Sequence, residues 1–249
     1  MQIVKLLHGD CLELMKSIPD KSIEAVITDP PYGTTACSWD SVIPFDLMWE
    51  QLNRVVKPNG AIVLFGSEPF SSVLRMSNIK NYRYDLIWNK IRAAGFLNAN
   101  RMPLKQHENI SLFYKKLPTY NPQKYIDKPY DKTKYNGKDM KENVLGSYTQ
   151  KSNKNNGERF PKSILTFSQN WSRQQQVHPT QKPVPLMEYL IKTYTNENET
   201  VLDFTMGSGS TGVACLNTKR NFIGIEKEQK YYDIAKSRIT QAQNELKLF

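Results

Sequence analysis

Near the C-terminus lies a unit that leaves few folds open. Thr200-Val201-Leu202-Asp203-Phe204 reads as a buried strand. Gly207-Ser208-Gly209-Ser210-Thr211-Gly212 follows, then an Ala/Val/Leu helix to Asn217. A second strand, Asn221 to Ile225, ends on Glu226. Glycines at such a turn let a ligand approach backbone N–H groups at the helix start. An acid closing the second strand suits the two hydroxyls of a ribose. After Glu226 there is room for only one helix, carrying Tyr231, Ile234, Ala235, Ile239 and Ala242. The remaining strands must come from the N-terminal half. The fold class expected is therefore α/β, with a permuted Rossmann-like sheet.

The same string matches the dinucleotide fingerprint G-x-G-x-x-G, so an NAD oxidoreductase is a competing reading. The pattern is not specific, because any ribose-binding βαβ unit carries glycines and an acid about 20 residues on. Measuring which cofactor binds separates the two.

The N-terminal half supplies the strands. Ile3 to Leu7 reads as one, and Leu12, Met15 and Ile18 fit a short helix ended by Pro19. Ile23 to Thr28 is a buried strand that must stop at Asp29-Pro30-Pro31-Tyr32-Gly33. Proline has no N–H for the ladder and pushes the residue before it into an extended conformation. Asp29 and Tyr32 thus sit on a stiff loop at a strand's carboxyl end, where open α/β sheets place ligands. The Asp29 carboxylate and the Pro30 carbonyl can each accept a hydrogen bond from a flat –NH2 group, while Tyr32 stacks on the ring bearing it. Such acceptors draw the nitrogen toward a tetrahedral geometry and free its lone pair. Alone, Asp-Pro is an ordinary turn; a matching cofactor site elsewhere in the chain is what changes the reading. Gly33 to Ser41 is expected to be a mobile loop. A helix carrying Met48, Leu52, Val55 and Val56 stops at Lys57-Pro58-Asn59-Gly60, and Ala61 to Phe65 is another strand. Tyr84 to Trp88 and Asn109 to Tyr114 are two more, expected as an antiparallel edge hairpin on a mostly parallel sheet.

From Lys115 to Val177 the periodicity fades. This stretch holds 11 Lys and 2 Arg against 3 Asp and 2 Glu, a net +8 of the chain's +10. Tyr120, Tyr125, Tyr130, Tyr135 and Tyr148 are interleaved with the lysines. Lysines for phosphates and aromatics for bases make a nucleic-acid surface, although a solvated insert would have the same low hydrophobicity. With 249 residues, 39% of them apolar, the chain can bury a core around this insert. Cys11, Cys37 and Cys215 are an odd number at unrelated spacings, which argues against a disulfide scaffold or a zinc site and fits a reducing cytoplasm. No apolar run approaches a membrane span.

Taken together and in this order, the motifs resemble those of the S-adenosylmethionine-dependent DNA amino-methyltransferases of the β group, in which the catalytic motif precedes the cofactor motif. Asp29-Pro30-Pro31-Tyr32 resembles their catalytic motif. Asp203 with Gly207-Ser208-Gly209-Ser210-Thr211 resembles the cofactor loop, and Glu226 the ribose-binding acid. His178-Pro179-Thr180-Gln181-Lys182-Pro183 is similar to the segment that touches the cofactor's methionine end, which implicates His178, Thr180 and Lys182. Gly9-Asp10-Cys11 resembles the adenine-contacting segment. One departure is Asp203-Phe204-Thr205-Met206-Gly207, where the family usually has Asp-Pro-Phe-x-Gly. The resemblance implies a catalytic half over 1–114, a basic target-recognition insert over 115–177 and a cofactor-binding half over 178–249. It implies S-adenosyl-L-methionine as cofactor, no metal, double-stranded DNA as partner, and base flipping to reach the amine. Asp rather than Ser at the motif's first position favours adenine N6 over cytosine N4. Dimers are common in the family, so a homodimer is an open state. Relatives acting on RNA or protein more often carry Asn at the position of Asp29. A DNA-binding protein with a vestigial cofactor fold is a further rival, and turnover separates it.

Overall fold

The computed structural model describes residues 2–34, 37, 40–131, 139–140, 148–149, 154–169 and 181–246. Its sheet is built from β1 (Val4–His8), β2 (Ile23–Thr28), β3 (Val56–Gly66), β4 (Tyr82–Ala94), β5 (Lys105–Phe113), β6 (Ile164–Thr166), β7 (Thr200–Asp203) and β8 (Asn221–Glu226). They lie in the order β1-β8-β7-β2-β3-β5-β4-β6. Only β5 runs against its neighbours; every other pair in this sheet is parallel. The permutation is explicit, because the C-terminal β7 inserts beside the N-terminal β2.

Side chains alternate across the strands and divide the core in two. Ala25 and Ile27 of β2 and Val63 and Phe65 of β3 face one layer, with Val201 and Phe222. That layer packs under α4 (Val184–Tyr194), α5 (Ser210–Asn217) and α6 (Gln229–Leu246). Val26, Ile62, Leu64, Leu202 and Ile225 face the other, under α1 (Cys11–Met15), α2 (Phe45–Val55) and α3 (Phe70–Ser77). Two elements run past their sequence signals. β3 begins at Val56, directly after α2, and the β4–β5 hairpin is longer than its apolar cores. The hairpin is also not the outermost element, since β6 pairs with β4 in register Leu165↔Trp88. Three residues are too few to show periodicity, but Leu165 is buried there.

Pro122–Lys162 forms a second compact unit within the basic 115–177 stretch. Within the main unit, Asn121 donates its N–H to the Thr193 carbonyl at 2.8 Å. Three antiparallel pairings are nested within the second unit: Tyr125–Ile126 with Glu158–Arg159, Tyr130–Asp131 with Lys154–Asn155, and Asp139–Met140 with Tyr148–Thr149. Cations stack on its rings: the Arg159 guanidinium lies 4.7 Å from the Tyr130 ring centre, and Lys124 5.0 Å from that of Phe160.

Candidate active site

Parallel pairing of Val201 with Ala25 and of Leu202 with Val26 brings the ends of β7 and β2 out of the sheet side by side. Their side chains are joined there. The buried Asp203 carboxylate accepts from Thr28 Oγ1 and from Thr211 Oγ1, each at 2.5 Å, and from the Thr205 N–H at 3.2 Å. Burial pushes its pKa up to about 6, with these donors pulling the other way. Thr205 Oγ1 in turn donates to the Asp29 carbonyl at 3.1 Å. The departure from the family loop therefore has a visible arrangement. Phe204 is buried with the α1–α3 layer, Met206 with the α4–α6 layer, and Thr205 between them ties the two motif loops together.

On the other loop, the Tyr32 hydroxyl donates to Asp29 Oδ1, and Lys182 Nζ pairs with Asp29 Oδ2. Lys182 also lies 3.2 Å from Glu108 Oε2, and Lys90 pairs with Glu108 Oε1. The Lys182 ammonium, 7% exposed, sits 5.0 Å from the Phe65 ring centre and 6.0 Å from that of Trp88. Two carboxylates and two ammoniums thus balance in an enclosed row. Burial pushes Asp29 above the ordinary carboxylate range; Lys182 opposes this and Glu108 adds to it. Burial acts on Glu108 the same way, but Lys182 and Lys90 overcome it and hold that acid low. Burial alone would lower the Lys182 pKa; the two acids raise it instead, so it stays protonated. Tyr32 is raised well above the usual phenol range by burial and by Asp29, and remains a neutral donor.

Asp40 shapes the turn that follows. Its Oδ1 accepts the N–H groups of Tyr32 and Gly33 at 2.7 and 2.9 Å, and its Oδ2 that of Thr34 at 2.9 Å. Phe70 backs the Tyr32 ring at 5.0 Å with 30° between planes. Asp40, Phe70, Glu108 and Thr205 were not singled out from the sequence. Asp40 carried a usable signal, a lone acid closing a small-residue loop; the other three carried none.

Both motif loops line one cleft of about 390 Å³, within the size range of ligand pockets. Asp29, Pro30, Pro31, Tyr32, Asp10, Cys11, Lys182, Asp203, Gly207, Ser208, Ser210, Thr211 and Glu226 all reach it. Gly209 does not; it backs the loop at φ +76°, where an added Cβ would lie 3.0 Å from that of Ala235 on α6. His178 and Thr180 lie outside the described residues. Glu226 accepts the N–H of Gly207 at 2.9 Å on one oxygen and that of Glu228 at 2.8 Å on the other. Each oxygen keeps a lone pair for a hydroxyl. The Cys11 thiol, pushed up to about 12 by burial and Asp10, is no nucleophile. Among the described residues the lining holds six acids (Asp10, Asp29, Asp40, Asp203, Glu226, Glu228) against Lys182 and Lys227. Such a cleft suits a cationic ligand and repels a pyrophosphate, which disfavours the dinucleotide reading.

A family model described as a DNA methylase, of the N6 and N4 type, matches residues 23–237. The chain belongs to the DNA methylase family. Type II methyltransferase M2.LlaDCHI of Lactococcus lactis subsp. cremoris is 28% identical over 262 residues, covering 95% of this chain and 89% of that protein. M.BglII of Bacillus subtilis is 30% identical over 260 residues, covering 93% and 67%. Among solved structures, M1.HpyAVI in complex with SAM shares 28% identity with a TM-score of 0.64, covering 95% of this methylase and 99% of that chain. The cytosine-N4-specific PvuII DNA methyltransferase has a TM-score of 0.68 at 18% identity, covering 98% and 92%, a likeness of fold.

Proposed function

We propose that this DNA methylase modifies the N6 amine of adenine in double-stranded DNA, with Asp29, Pro30, Pro31 and Tyr32 as the groups that meet the base. The reaction class is methyl transfer to an amino group of a DNA base, with S-adenosylmethionine as the cofactor. When bound, that cofactor supplies an electrophilic methyl on a sulfonium, already activated without a metal. The observation that carries the reading is the shared cleft: the Asp-Pro-Pro-Tyr loop and the glycine loop open into one acidic space.

The chain's own residues divide the work. Glu226 offers acceptors for a ribose, and Asp10 and Cys11 border the far end for an adenine. Gly207 and Ser208 allow close backbone approach. The surrounding acids favour a positive sulfur. On the base side, Asp29 and the Pro30 carbonyl accept the two amine N–H bonds and orient the nitrogen lone pair toward the methyl. Tyr32, backed by Phe70, stacks on the ring of the flipped base. Extruding that base from a duplex costs about a few kcal/mol. Positioning and fixed charge then supply most of the acceleration.

Nucleoside analysis of DNA from cells expressing the protein is expected to show N6-methyladenine. N4-methylcytosine in its place would overturn the adenine assignment and leave the family intact. Asp29→Ala is expected to lose about 10²-fold or more in labelled-methyl transfer while still binding cofactor. Full activity in that variant would remove Asp29 from the reacting centre.

A further inference from the structure

The β4–β5 hairpin does more than its place in the sheet requires. β3 ends where Gly66 pairs with Asn109, yet β5 begins at Lys105. The strand therefore rises about 13 Å past the end of β3. β4 is parallel to β2 and β3 in direction, so this projection leaves from the carboxyl edge, the edge that carries Asp29. Its root is fixed by a hydrogen bond from Lys105 Nζ to Ser67 Oγ, just past the end of β3. A register shift between Asn89 and Ala94 bends the outer part, with Ile91 at φ +68°, a strained conformation for a β-branched residue. Gly95 then turns the chain into a short 3-10 helix, Phe96–Asn98.

At the tip Phe96 is 82% and Leu97 97% exposed. Folding gains nothing from two large apolar side chains held in water. From Asn89 to His107 there are four cationic residues, Lys90, Arg92, Arg101 and Lys105, and no acid. Lys90 is committed to Glu108 and Lys105 to Ser67, which leaves Arg92 and Arg101, one on each side of the apolar tip in sequence. An apolar point framed by cations, on the edge where the substrate enters, matches a nucleic-acid duplex and not an apolar protein groove. Side chains of this kind enter a duplex between base steps, while arginines hold the phosphates.

We propose that the hairpin tip is a DNA wedge: Phe96 and Leu97 enter the duplex beside the extruded base, and Arg92 and Arg101 grip the flanking phosphates. This rests on the reading of the protein as a base-flipping DNA methylase. The wedge occupies the gap in the stack and so lowers the cost of holding the base in the cleft.

The test uses the full chain and unmethylated, amplified genomic DNA as substrate. The double variant Phe96→Ala/Leu97→Ala is expected to keep its melting temperature and cofactor affinity, since both side chains are exposed. Its rate of labelled-methyl transfer to duplex DNA is expected to fall about 10- to 100-fold. Arg92→Ala and Arg101→Ala are each expected to lower the salt slope of DNA binding by about 1. Wild-type rates in the double variant, with the wild type active, would overturn the wedge alone. A wild type that transfers no methyl to DNA would overturn the wedge together with the function it rests on. A wild-type dimer that the double variant splits to monomers, with unchanged activity per chain, would reassign the tip to self-association.

Discussion

Asp29 is held by a cation and a phenol while a second acid stands behind that cation, and the balance is adjustable one residue at a time. In its proposed role Asp29 must be ionised to accept the amine's N–H bonds, so activity is expected to be lost as pH falls through its pKa. Tyr32, Lys182 and Glu108 are the groups acting directly on it. Lys182→Met removes the charge that opposes burial and leaves Glu108, which raises Asp29 further. The acid limb of the kcat–pH profile is expected to move to higher pH, with a plateau loss of about 10²-fold from misplacement. Glu108→Gln removes the like charge and leaves Lys182 to Asp29 alone; the limb is expected to move to lower pH. Shifts of the same sign in both variants would show that the row does not set Asp29's charge. Asp29, Tyr32 and Glu226 were legible in the sequence because their meaning is local: a strand, a stop, an acid. The Lys182–Asp29 pair spans 153 residues and Glu108 sits in an ordinary strand pattern, so no spacing rule could find the row.

Among the elements, α5 shows how closely the cofactor half is packed. Gly212 lies on its buried side, where a Cβ would fall 2.4 Å from Ile239 Cδ1 on α6 and 2.8 Å from Phe222 Cε1 on β8. Gly212→Ala is expected to destabilise the protein by about 1–3 kcal/mol in urea unfolding. Adding Ile239→Val removes the nearest atom and is expected to restore part of the loss; strict additivity of the two changes would show that the contact is not the cause. The glycine loop was readable as a turn onto a helix, but the sequence pattern does not distinguish a glycine that meets ligand from one that meets α6. Gly209 and Gly212 belong to the second kind. β6 escaped for another reason: an Ile-Leu-Thr triplet inside a polar stretch has too short a period to register.

For the whole molecule the net +10 is unevenly placed. The charged residues of the cleft lining are six acids against two lysines, while Pro122–Lys162 holds nine Lys and one Arg against three Asp and two Glu. Acidic and basic charge thus fall on different segments of the chain. Replacing Pro122–Lys162 by a Gly/Ser linker is expected to leave cofactor binding and the core's melting intact. DNA affinity near physiological salt is expected to fall at least about tenfold, with a shallower dependence on salt. An unchanged salt slope would place the phosphate contacts elsewhere.

The side-by-side exit of β2 and β7 has a consequence for the life of the chain. Thr28 and Asp203 touch across 175 residues. Asp29 therefore emerges from the ribosome long before Asp203 and Glu226 exist to complete its cleft. A chain cut before β7 and β8 carries the Asp29 loop without the glycine loop and acid that line the cleft with it.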